Sequence, residues 1–152
     1  MLVELELCGP KGDGQIILWQ RVLEIVQKDN EMLFQAMLRS NKSVPEYIDQ
    51  LGLPYLPPTR EEARGERQRI SGLQGILERG SWSCGDAAAL EAAALSVVHG
   101  VPAVVRAVLL TPRHSPHALL HAVYETPEGR VDPTARWLQA RGRGHEAWEA
   151  TL

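Results

Sequence analysis

Cys84, His121 and Asp132 are, in chain order, a thiol, an imidazole and a carboxylate. That set can run acyl transfer. A thiolate attacks a carbonyl, an imidazole carries the proton, and a carboxylate fixes the imidazole. Cys84 stands in "GSWSCGDAAALEAAAL", just ahead of a long run of alanine and leucine. Ser83 is a good N-cap and Asp86 falls at the third helical position, the S-x-x-D form of a capping box. Cys84 is then the first residue of a helix. N–H groups of a first turn carry the positive end of the helix dipole, which favours thiolate over thiol and can hold a developing oxyanion. The plain alternative is a small core residue, since reduced cysteines are among the most buried residue types.

The base must come from one of five histidines, His99, His114, His117, His121 and His145. His99 ends the cysteine helix, where an imidazolium suits the dipole. His145 lies in the tail "RGRGHEAW" and His114 in a proline loop. His117 and His121 share one face of the following strand. If "ETPE" (125 to 128) is the hairpin loop, His121 faces Asp132, with Cβ atoms about 5 Å apart. Pairing His117 with Asp132 would drag Pro127 into the ladder, which proline tolerates poorly. His121 is therefore preferred and His117 is the runner-up. The ordinary alternative for such a pair is a surface salt bridge.

Other groupings are weaker. His114, His117 and His121 with Cys84 form no standard zinc spacing. No glycine-rich phosphate loop is present, so neither metal nor cofactor is expected. Trp82 is either a core residue or a groove wall whose indole N–H serves an oxyanion, and Gln74 is another candidate oxyanion donor. "ARWLQARGRGHE" is a small basic cluster that reads as a solvated tail.

These residues need elements to hold them. "QIILWQRVLEIVQ" has helical apolar spacing at Ile16, Trp19, Val22, Leu23 and Val26, and Asp29 or Asn30 restarts a helix through "EMLFQAMLRS". "SVPE" at 43 to 46 opens a short helix that stops at Gly52. "LPYLPPTREEARGERQR" (53 to 69) is proline-rich and then charged, a solvated loop. "ISGLQGILERG" gives one or two helical turns ending at Gly80. The cysteine helix runs from 84 to 99 and stops at Gly100, with Pro102 beyond. "AVVRAVLL" is a strand, and "HALLHAVYETPEGRVDPT" is a strand, a turn and a short strand. "LVELELCG" is a strand or extended arm. Helices followed by antiparallel strands make the class α+β.

The chain has 152 residues, enough for one domain with a real core, with 44% hydrophobic and 23% charged residues and net charge −3. That balance points away from nucleic acid and anionic membranes as partners. No apolar run reaches the roughly 18 residues that span a bilayer, and the N-terminus lacks the signature of a signal peptide. Cys8 and Cys84 are far apart and make no disulfide or metal spacing, so both thiols are expected to be reduced, in a cytoplasmic setting.

The order and spacing of these pieces resemble a known family. "CGDAAALEAAALSVVHGVPAVVRAV" is similar to the transglutaminase-like core: a cysteine, an acid two residues later, an alanine- and leucine-rich helix, then G-[IV]-P-A and a strand. "HAVYETPEGRVDPT" resembles that family's H…DG…DP-[ST] segment. The N-terminal helices and "VPEYIDQLGLPY" resemble small stand-alone transglutaminase-like proteins of bacterial prophages and phage-tail-like clusters. The resemblance covers roughly residues 15 to 138. It departs at Trp82-Ser83, where the group usually has Gly-Asp, at Gly85, where an acid is common, and at "ARWLQAR", which replaces a glycine-containing segment.

The resemblance implies a papain-like or transglutaminase-like core, with the cysteine helix central and packed on a small antiparallel sheet. It implies one domain over 1–152: a helical N-terminal half (1–52), a charged loop (53–69) and a catalytic core (70–138). It implies a cysteine peptidase, amidase or transglutaminase acting on a peptide or protein carboxamide through a Cys84–His121–Asp132 triad. The other implication is a non-catalytic phage-type assembly protein that keeps the fold, with tail-assembly proteins as partners and a place in a phage-like particle.

Overall fold

The computed structural model describes residues 2–6, 13–59, 67–110 and 120–143. Strand β1 (Leu2–Glu6) pairs antiparallel with β2 (Arg67–Ser71), Leu2 opposite Ser71 and Glu6 opposite Arg67. The end of the expected charged loop is therefore a strand. Tyr55, earlier in that segment, bridges to Trp82. Residues 60–66 lie outside the described part.

Helix α1 (Asp13–Arg39) is one continuous element of 27 residues. The expected restart at Asp29 or Asn30 does not occur. Trp19, Val22, Leu23, Val26, Asn30 and Phe34 are buried at three- and four-residue spacing, one uninterrupted stripe. Asn30 belongs to that stripe because its side-chain oxygen accepts the Leu73 N–H at 3.0 Å. It caps another helix instead of starting its own. A 3₁₀ turn follows at Ile48–Leu51 and closes at Gly52, φ 65°. It starts later than "SVPE" predicts, because the Gln50 side chain takes the N–H groups of Glu46 (2.7 Å) and Tyr47 (3.3 Å).

Helix α2 (Leu73–Arg79) ends at Gly80, and α3 (Cys84–His99) ends at Gly100, as expected. Every residue from Gly85 to Ala94 in α3 is buried. Such a helix is packed all round, and alanine lets its neighbours come close. Ala88, Ala89 and Ala92 meet Trp19, Leu23 and Val26 of α1 together with the sheet. Ala87, Leu90, Ala93 and Ala94 meet Phe34, Ile48, Ile76 and Trp82 on the other side.

The sheet has the order β3-β4-β5, all antiparallel, from β3 (Val104–Leu109), β4 (Leu120–Thr126) and β5 (Gly129–Val131). Val105, Ala107 and Leu109 share the α3-facing side with Leu120, Ala122 and Tyr124. The outer edge of β3 is covered by α1. Gln27 donates to Ala103 O (2.8 Å) and accepts from Val105 N (3.1 Å). Gln20, two helical turns earlier, donates to Val105 O and accepts from Ala107 N, both at 2.7 Å. Two primary amides thus take the place of a neighbouring strand and satisfy an edge that would otherwise be open.

The β4–β5 hairpin corrects the expected register. Tyr124 faces Val131 and Thr126 faces Gly129, so the loop is Pro127-Glu128 and not "ETPE". The Thr126 hydroxyl accepts the Glu128 N–H (3.1 Å), and Gly129 adopts φ 130°, open to a residue without Cβ. Helix α4 (Pro133–Gln139) follows at once. It overturns the expected solvated tail over residues 135 to 139: Leu138 is buried and Trp137 packs on Trp82. The fold is mixed α+β, with a cysteine-bearing helix packed on a small antiparallel sheet. No described helix is long and apolar enough to cross a membrane.

Candidate active site

Ser83, with extended backbone (φ −107°, ψ 172°), caps α3 and makes Cys84 its first residue. The capping box forms, and the Asp86 carboxylate takes the Ser83 N–H at 2.9 Å. Cys84 is half-buried and packs against the cluster that holds Leu120 and Ala122, the residues on either side of His121. Gly85 comes next because the space is taken. A Cβ there would lie 3.3 Å from Ile70 Cδ1 and 3.4 Å from Leu23 Cδ2.

His121 and Asp132 are brought together, Nε2 to Oδ2 at 2.7 Å, with His121 only 1% exposed. They do so in the corrected register. Continuing the ladder past Tyr124 and Val131 sets Asp132 level with Val123, so it reaches His121 diagonally along the same face, within range of these side chains. Asp132 also caps α4, its Oδ1 accepting the Ala135 N–H at 3.0 Å. One carboxylate thereby orders a helix with one oxygen and an imidazole with the other. The "DPT" spacing contains this signal: aspartate, then proline at the first helical position, is an N-terminus signature.

Trp82 is the core residue of its two readings. It is fully buried, and its indole N–H donates to Leu53 O at 3.0 Å, which commits the donor proposed for an oxyanion. Its ring contacts Tyr55 at 4.9 Å and stands edge-on to Trp137 at 5.6 Å. Gln74 is exposed on α2. His99 ends α3 as expected, and its Nε2 pairs with Glu46. Cys8, His114, His117 and His145 lie outside the described residues. Among those described, no three His, Cys, Asp or Glu side chains are grouped to hold a metal.

Sequence reasoning placed Asp86 in the cap but missed its burial, and missed Glu91 altogether. Asp86 is fully buried and bound by Arg79, by the Ser71 N–H (2.6 Å) and by the Ser83 N–H. Burial pushes its carboxyl above the usual value, against the Arg79 guanidinium and these donors. Glu91 is 1% exposed and holds Arg136 through both oxygens (2.9 and 2.5 Å), the Tyr124 hydroxyl (3.1 Å) and the Ile48 N–H (3.0 Å). Burial, and then Glu91, raise the Tyr124 phenol, and the hydrogen bonds that Arg136 donates to Glu91 raise its guanidinium. The signal was available: Glu91 is the lone charge between Ala87 and His99, and a carboxylate inside a buried run needs a cation. An open cleft of about 240 Å³ lies beside this network, lined by Glu46, Tyr47, Leu95 and His99, towards the far end of α3 from Cys84.

No protein-family model, curated protein or solved structure matches the chain. The site therefore rests on its own geometry. A nucleophile-type residue starts a buried helix, and a buried imidazole on the adjoining sheet is oriented by the carboxylate that caps α4. An imidazole held at Nε2 by a carboxylate has a fixed ring orientation and can move a proton at Nδ1.

Proposed function

We propose that the chain is a cysteine-dependent acyl-transfer enzyme of transglutaminase-like type, with Cys84 as nucleophile, His121 as acid and base and Asp132 as the orienting carboxylate. The observation that carries this is the buried His121–Asp132 pair at 2.7 Å, in a chain whose Cys84 opens the buried helix α3. His121 takes the thiol proton and Sγ attacks a carboxamide or peptide carbonyl. The C–N bond breaks as His121 returns the proton to the leaving amine, and a thioester remains. Water or an amine then attacks the thioester, gives its proton to His121, and displaces the thiolate. The substrate is a peptide or protein carboxamide, and the setting a cytoplasm or a phage-like particle.

The near-complete burial of His121 favours a second reading, an assembly protein in which the pair is only a structural tie. Alkylation by iodoacetamide separates them. The enzyme reading expects Cys84 to react at neutral pH, with a thiol pKa well below the ordinary 8.5 or so, and His121→Ala to slow that reaction. Reaction only above that pH, unchanged in His121→Ala, would leave the structural reading.

A further inference from the structure

The first turn of α3 is held by more than its own capping box. Asp86 binds four donors from three neighbouring segments. Oδ1 accepts the Ser71 N–H (2.6 Å) and hydroxyl (3.3 Å) at the end of β2. Oδ2 accepts the Ser83 N–H (2.9 Å) and the Arg79 guanidinium at the end of α2. Arg79 extends the tie, donating to the Ser71 hydroxyl (3.2 Å) and to Ser81 O (3.0 Å). The residue before Cys84 is thus bound to the residue two after it, and both are bound to β2 and α2. Asp86 is fully buried, and the Arg79 side chain is 21% exposed.

We infer that Asp86 and Arg79 together are positioning residues for the nucleophile: they fix the place of Cys84 on the first turn and balance the charge around its thiol. The inference rests on the acyl-transfer reading of Cys84. Neither residue touches the substrate. Asp86 acts through the Ser83 backbone, and Arg79 acts through Asp86. The pair also explains an apparent contradiction. A carboxylate two residues from a cysteine opposes the thiolate that the helix start favours. With Arg79 on the same carboxylate, the turn keeps its positive character while gaining a rigid anchor.

A purely structural tie and a charge-balanced positioning pair differ in one readout, the pH profile of Cys84 itself. The probe is iodoacetamide on the full chain in a Cys8→Ser background, with the adduct mapped to Cys84 and folding followed by circular dichroism. Asp86→Asn removes the negative partner and leaves the Arg79 cation, so the thiol pKa falls by about one unit. Arg79→Gln leaves the carboxylate unbalanced, so the thiol pKa rises by a comparable amount. Arg79→Lys keeps the charge and returns the profile towards wild type. Shifts of opposite sign cannot come from loosening alone. Where one variant does not fold, the other decides by the sign of its shift.

Folded Asp86→Asn and Arg79→Gln proteins with an unchanged Cys84 profile would overturn the proposal, as would failure of both to fold, which would assign the pair to stability. His121→Ala keeps the two claims apart. If it also leaves an ordinary thiol profile unchanged, the acyl-transfer reading fails. If it alone shifts the profile, only the positioning role fails.

Discussion

Helix α3 buries two acids five residues apart, and it solves them differently. Glu91, mid-helix, has each oxygen matched: Arg136 binds both, and Tyr124 and Ile48 add neutral donors. It draws the 3₁₀ turn, β4 and α4 onto one side chain. Asp86, at the first turn, is held by one cation and by backbone and hydroxyl groups, and burial still raises its carboxyl. The difference shows where each charge is useful. In mid-helix a carboxylate can only tie elements together, so full pairing with Arg is favoured. At the helix start the carboxylate completes the cap and lies beside Cys84, so its balance is tied to the chemistry proposed there.

Removing Glu91 gives the largest effect. Glu91→Ala strands the partly buried Arg136 guanidinium and leaves the Tyr124 hydroxyl and the Ile48 N–H without their acceptor. Breaking a buried pair this way costs about 3 kcal/mol or more. Urea unfolding should show a lower midpoint, while Cys84 in the folded fraction keeps its wild-type alkylation profile. A loss below about 1 kcal/mol, in the range of exposed pairs, would show that Glu91 is not the tie it resembles.

The two acids also mark how far the sequence could be read. The bounds of α3 were legible because Ser83, Asp86 and Gly100 carry them locally. The His121–Asp132 pair was legible because both lie on one short hairpin, and it survived a wrong register because Asp132 stays on the face of His121. The register itself was misjudged because the Thr126 hydroxyl, which folds the chain back over Pro127-Glu128, was not weighed. What stayed hidden depends on partners far along the chain. Asn30 looked like a helix start because its role, capping α2, lies 43 residues away. "ARWLQAR" looked like a tail because the partner that ties Arg136 to the fold, Glu91, lies 45 residues earlier.

Asp132 sharpens the comparison, because it plays both roles with one side chain. Its Oδ1 caps α4 and its Oδ2 holds His121. Asp132→Ala removes the cap and should cost about 1 kcal/mol. Asp132→Asn keeps a capping oxygen and most of that stability, yet puts a neutral amide where the carboxylate orients His121. Thermal unfolding and Cys84 alkylation should therefore part company: Ala lowers both, while Asn lowers mainly reactivity. Equal loss of stability in the two variants would mean that the His121 bond, and not the cap, is the main structural contribution.

The smallest effect is a slope with pH carried by Asp86. Its folded carboxyl titrates above the ordinary 3.8 because burial outweighs Arg79 and the two backbone donors, Ser83 and Ser71. The folded chain therefore holds a proton there that the unfolded chain has already released. Between about 3.8 and the raised value, the folded state binds more protons at this group, so its contribution to stability grows as pH falls. Above the raised value the contribution is lost. Asp86→Asn has no such proton to hold. Comparing melting temperatures of wild type and Asp86→Asn from neutral pH down to about 4 cancels the other carboxylates, which titrate in both proteins. The difference should move in favour of the wild type as pH is lowered. A difference moving the other way would mean that Arg79 and the backbone donors dominate burial. Asp86 would then be as fully balanced as Glu91, and the contrast between the two acids would disappear.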